Sequence, residues 1–140
     1  MDMDMEGNHR FFKCDICGNL SGLILNMGAP LVCCGQEMTE LIPNTTEAAT
    51  EKHLPAVSSE IATCECGCEC VCLSIQVGSV PHPMEEAHHI TFVYVETEQG
   101  GQRKCLNIGD EPKVDFCVRN DKPVGVYAYC NLHGLWETAL

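Results

Sequence analysis

The sequence predicts a mainly β protein, organised as a small metal-knuckle unit followed by a β-sandwich. Three observations predict it. Beyond residue 70 the apolar residues fall in short runs bounded by Gly, Pro and Asp, at 71–77, 90–97, 103–106, 114–119 and 124–130; several such runs separated by turn signals indicate an all-β sandwich. Within the first run Val71, Leu73, Ile75 and Val77 alternate with Cys72, Ser74 and Gln76, the period of two that marks a half-buried strand. The first 45 or so residues, by contrast, are too few to bury much core and call for a staple such as a metal, which Cys14-x-x-Cys17 and the adjacent Cys33-Cys34 can hold. Sustained helical periodicity is lacking, as are repeats on a scale of about 20–50 residues.

Taken in order, Phe11-Phe12-Lys13 reads as a short strand entering the first knuckle, after which Gly18 and Gly22 permit tight turns that bring amides close to thiolate sulfur. Runs at 23–25 and 31–32 flank the turn-rich stretch 26–30 and read as a hairpin. From Pro43 to Thr50 the composition shifts to Asn, Thr, Ala and Glu without aromatics, which marks a linker and divides the chain into domains 1–44 and 45–140.

Composition narrows the function. Eight basic and twenty acidic residues give a net charge of −12, which argues against nucleic acid or an anionic membrane as partner. No apolar run approaches the roughly 18 residues of a membrane span. Twelve cysteines would suggest a disulfide scaffold in a secreted chain, but the acidic start Met1-Asp2-Met3-Asp4-Met5-Glu6 has no apolar signal core, so a reducing cytoplasm is the expected compartment.

Two groups of residues carry metal chemistry. Cys14 and Cys17 have the spacing at which one knuckle presents two thiolates to a single ion. Cys33 and Cys34 would point to opposite faces of an extended strand, so both reach that ion only if the backbone bends, as Gly35 allows; the expected result is a distorted tetrahedral S₄ site. Such a site takes zinc or iron. The second group comes from Glu51-Lys52-His53-Leu54-Pro55, from His82-Pro83-Met84 followed by His88, and from Cys130-Asn131-Leu132-His133-Gly134-Leu135-Trp136. Structural zinc sites close at four ligands, usually with two or more thiolates, whereas four imidazoles and one sulfur suit iron and leave one octahedral position free.

These three segments resemble those of superoxide reductases, and Cys14-x-x-Cys17 with Cys33-Cys34 resembles the desulforedoxin domain fused to them in desulfoferrodoxins. The resemblance spans nearly the whole chain and implies an immunoglobulin-like sandwich, two iron ions and a homodimer. It implies iron rather than a zinc staple at Cys14, Cys17, Cys33 and Cys34. At the second centre it implies His53, His82, His88 and His133 as equatorial ligands and Cys130 as axial thiolate, reducing superoxide by one electron to hydrogen peroxide with electrons from an external, rubredoxin-like donor. It implies catalytic roles for Lys52, which steers or stabilises the anion, and for Glu51, which occupies the sixth position in the ferric state. The chain's acidity makes Lys52 the obvious local cation for an anionic substrate. Alternative functions are a rubredoxin-like electron carrier working through the Cys₄ site, or a thiol-rich metal-binding protein.

The segment Cys64-Glu65-Cys66-Gly67-Cys68-Glu69-Cys70-Val71-Cys72 has no counterpart in the family motifs. Its five cysteines are compatible with a hairpin of free thiols, a reversible disulfide or a third metal site; a turn at Gly67 would let thiols of the two arms meet. Cys105 and Cys117 read as small buried residues. His89 diverges from His88 on a strand and packs or faces solvent, His9 lies exposed in a polar tail, and Tyr129 and Trp136 pack around the Cys130 segment.

Overall fold

A computed structural model describes residues 10–140; His9 lies outside the described residues. The chain forms two compact units, one ending at Ile42 and one spanning Pro43–Leu140. In the first, β1 (Arg10–Lys13) is flanked by β2 (Leu20–Leu23) and by β5 (Thr39–Leu41), both antiparallel. Phe11 is buried there, and Gly22 is an ordinary strand residue opposite it rather than a turn. Gly18, at φ +84°, does make the turn. The two-residue strands β3 (Val32–Cys33) and β4 (Gln36–Glu37) pair with each other around Cys34 and Gly35. The hairpin expected across 26–30 is therefore absent. That stretch is a loop in which Asn26 Oδ1 accepts from the Gly28 amide at 2.9 Å, because Val32 finds its partner in the strand that follows it.

The second unit is a two-sheet sandwich of the expected immunoglobulin-like class. One sheet orders β10 (Lys113–Arg119), β7 (Glu69–Val77) and β6 (Pro55–Thr63); the other orders β12 (Gly134–Ala139), β11 (Pro123–Cys130), β8 (Ile90–Thr97) and β9 (Gly100–Cys105), and every pairing is antiparallel. Leu73, Ile75, Val77, Val114, Phe116 and Val118 from the first sheet meet Ile90, Val93, Val95, Val126 and Ala128 from the second in one core. Alternation along β10 is strict, with Val114, Phe116 and Val118 buried between exposed Lys113, Asp115, Cys117 and Arg119. Each such side chain contributes about 2 kcal/mol by leaving water. Cys117 thus belongs to the outer face, and Cys105 is exposed as well, so neither is the buried residue its apolar run suggested.

β6 and β12 were not among the expected strands. β6 is an edge strand, opened by Pro55 where no ladder donor is needed, and only partly buried, so it lacks a long apolar run. β12 begins at Gly134, directly after His133. A single helical turn, α1 (Thr50–His53), precedes β6. Directly after β7, Gly78 has φ +83°, and a Cβ there would overlap the Val80 carbonyl oxygen and lie 2.7 Å from the Lys52 carbonyl. Its lack of a side chain lets the turn after β7 dock under α1, with the Gly78 amide donating to Leu54 O and the Val80 amide to Glu51 O.

Candidate metal centres

At the first centre, Cys14, Cys17, Cys33 and Cys34 bring one sulfur each to within 4.8 Å of all the others. The bend that the adjacent pair requires is made by Cys34 and Gly35 together, at φ +52° and +75°, the mirror-image two-residue turn preferred by hairpins. Amides approach the sulfurs as expected: Cys17 N donates to Cys14 Sγ and Asn19 N to Cys17 Sγ, each at 3.4 Å. The first of these is the main reason the Cys14 thiol is held down at about 6, while the neighbouring Cys17 sulfur is the main reason the Cys34 thiol is pushed up to about 12. Four sulfurs this close share negative charge poorly, and a cation relieves the conflict.

The second centre is assembled from three places in the sandwich. His53 ends α1, His82 and His88 lie in the connection from β7 to β8, and Cys130 and His133 bracket the turn between β11 and β12. One ring nitrogen each of His53, His82 and His88 lies with Cys130 Sγ inside a 4.8 Å cluster. His133 joins through Nδ1, 3.1 Å from His53 Nε2 and 3.8 Å from Cys130 Sγ.

Hydrogen bonds fix which nitrogen faces inward. His53 Nδ1 lies 2.7 Å from Ala49 O and His82 Nδ1 2.7 Å from Pro83 O; each donates its proton there, which leaves a bare Nε2 lone pair facing the cluster. Those two Nε2 atoms are 3.3 Å apart. His88 Nε2 is buried without any hydrogen-bond partner. Lone pairs converging in this way repel one another unless a cation sits among them, so the donor set fits a metal ion. Burial lowers the pKa of His53 and His88 and takes His82 down to about 4, keeping the imidazoles in the neutral form that ligates. The same burial pushes the Cys130 thiol up, while the Leu132 and His133 amides oppose it.

Around these donors, the Trp136 ring stacks on His53 at 5.0 Å between centroids, and its indole N–H donates to His133 O. Tyr129 does not share this position. It stacks on Phe92 at 5.9 Å, because neighbouring residues of β11 face opposite sides and Cys130 takes the inward one. His89 turns away from the cluster toward the carbonyls of Glu85 and Glu86. Glu51 and Lys52 are exposed on α1, next to buried His53, whose pKa Lys52 helps to lower.

Sequence reasoning missed Asn131. Its side chain accepts from the His89 amide at 2.9 Å and donates to Ala87 O at 3.1 Å, binding the loop of His88 to the turn of Cys130. Its place between two expected ligands was the available signal. The hairpin of β6 and β7 turns at Gly67, φ +84°, and pairs Cys64 with Cys70 in a disulfide while Cys66, Cys68 and Cys72 stay free. Among the described residues, only the two centres above gather enough ligands for a metal.

Comparison with known proteins agrees with this layout. Residues 45–139 match the desulfoferrodoxin family model, and residues 7–41 match the model of the desulfoferrodoxin N-terminal domain. Desulfoferrodoxin homologs of Archaeoglobus fulgidus and Methanothermobacter thermautotrophicus are each 41% identical to the chain, over 91% and 94% of it and over 94% and 99% of their own lengths. The crystal structure of the superoxide reductase from Treponema pallidum aligns with a TM-score of 0.72 at 30% identity, covering 94% of this chain and 99% of that one.

Proposed function

Because the chain belongs to the desulfoferrodoxin family, we propose that it is a superoxide reductase, converting superoxide, one electron and two protons to hydrogen peroxide, with domain 45–140 as the catalytic unit and domain 1–44 as a second iron site. The observation that carries this reading is the convergence of four imidazoles and one cysteine sulfur, with His88 Nε2 buried among them without a hydrogen-bond partner. Iron held by His53, His82, His88, His133 and Cys130 would supply a one-electron reductant for superoxide.

The chain's own residues do the rest. The Ala49 and Pro83 carbonyls hold His53 and His82 in orientation, and Trp136 shields the His53 face from water. The His133 amide donates to Cys130 Sγ at 3.4 Å and moderates the charge on that sulfur. Lys52 supplies a cation at the exposed edge where an anion enters, Glu51 closes that entrance in the oxidised state, and protons arrive there from solvent. Cys14, Cys17, Cys33 and Cys34 hold the second iron. A rubredoxin-like protein is the proposed electron donor, the homodimer the proposed assembly and the cytoplasm the proposed compartment; no helix among the described residues is long and apolar enough to cross a membrane.

Metal analysis with visible spectra of reduced and oxidised protein, followed by pulse radiolysis with superoxide, tests the reading. Two irons per chain are expected, each with thiolate charge-transfer absorption when oxidised, and Cys130→Ser should remove the band of the histidine-rich centre alone, together with turnover. Wild-type superoxide reduction by Cys130→Ser would sink the assignment.

A further inference from the structure

All but Cys105 of the cysteines that neither metal centre uses gather at one end of the β10-β7-β6 sheet. Cys66 is exposed at the tip of the β6–β7 hairpin, where Arg119 Nη1 donates to its sulfur at 3.3 Å and Cys68 lies beside it across Gly67. The hairpin tip is closed by the Cys64 amide donating to Cys68 O and the Gly67 amide donating to Cys64 O, each at 2.8 Å. Arg119 belongs to β10, where it stands opposite Cys70 of the Cys64–Cys70 disulfide. Two register steps along, Cys72 and Cys117 face each other with sulfurs 3.5 Å apart.

An exposed thiol with a guanidinium on its sulfur and a second thiol alongside has the parts of a peroxide-reactive dithiol: a stabilised thiolate, access for a small oxidant and a resolving partner. Bonding to Cys68 and Arg119 indeed lowers the Cys66 thiol to about 7, so a large fraction is thiolate near neutrality. We propose that the hairpin tip is a second redox site, at which Cys66 attacks hydrogen peroxide and Cys68 resolves the product to a disulfide.

The Cys66 thiolate bonds to one peroxide oxygen, the O–O bond breaks and the departing hydroxide takes a proton to become water. Cys66 is left as a sulfenic acid. Cys68 then attacks that sulfur, the S–O bond breaks and a second water leaves. In sum, two thiols and one hydrogen peroxide give one disulfide and two waters, the thiols losing two electrons and the peroxide gaining them. An external dithiol restores the pair. The proposal rests on the reductase reading only for the origin of its oxidant, which is that reaction's product.

The test supplies hydrogen peroxide directly to the iron-loaded, oxidised protein, so failure of the superoxide reaction leaves it unaffected. Peptide mapping is expected to show a new Cys66–Cys68 disulfide, reversed by dithiothreitol. Dimedone should trap a sulfenic acid at Cys66 in Cys68→Ser, and Arg119→Gln should slow trapping by about tenfold. Cys66→Ser should lose both signals while keeping the visible spectra of its metal centres. Cys66 unmodified at peroxide levels that oxidise other thiols of the chain, or an equal loss of thiols in Cys66→Ser, would overturn the proposal.

Discussion

Asn131 shows how much of a metal centre rests on a side chain that is no ligand. Its two hydrogen bonds hold the backbone of 87–89 against the Cys130 turn, so Asn131→Ala frees the loop that aims His88. Metal affinity should fall by about 10–100-fold with little change in the folded spectrum, as a competitive chelator titration would measure. The imidazoles carry a second consequence. Burial holds His82 near 4 in the native state, whereas in the unfolded chain it takes up a proton near 6.5. Between those values the unfolded state binds more protons, so stability of the metal-free protein should fall as pH is lowered from about 6.5 and level off below about 4. Urea titrations across that range check the sign; stability rising on acidification would contradict it. The nine expected ligands could be named from the sequence because their segments resemble those of a known family, and the structure gathers their donor atoms into two clusters. The ring tautomers were not legible, since they depend on carbonyls such as Ala49 O that any residue could supply.

Strands with an inward face announced themselves. The run 90–97 coincides with β8, and 71–77 differs from β7 by two residues, since β8 is buried along most of its length and β7 sets Leu73, Ile75 and Val77 into the core at a period of two. β6 stayed hidden because an edge strand with exposed Ile61 and scattered serines has no such period. At this scale Gly78 is the sensitive joint, having both a left-handed backbone and carbonyl oxygens where a Cβ would stand. Gly78→Ala should destabilise the sandwich by roughly 2–3 kcal/mol. It should also loosen α1, and so weaken iron retention through His53. Thermal unfolding together with iron content tests this; an unchanged melting temperature would show that the turn absorbs the methyl group. The glycine was visible in the sequence, but its contact was not, because Lys52 lies 26 positions away along the chain.

For the molecule as a whole, a net charge of −12 repels an anionic substrate, so attraction has to be local. Lys52→Ala should slow association with superoxide severalfold and flatten its dependence on ionic strength. Pulse radiolysis over a salt series measures both, and an unchanged rate and slope would take steering away from Lys52. The ligands of the second centre also have a topological consequence. His53 and His133 are separated by 80 residues, and the connection bearing His82 and His88 joins the two sheets. A single ion bonded to all of these segments closes several long loops at once, and a chain so cross-linked resists local fraying. Its departure requires α1, the β7–β8 connection and the β11–β12 turn to let go together. Isotope exchange of the bound ion with free iron should therefore be about as slow as global unfolding, giving a centre whose lifetime is set by the fold rather than by any one bond to the metal.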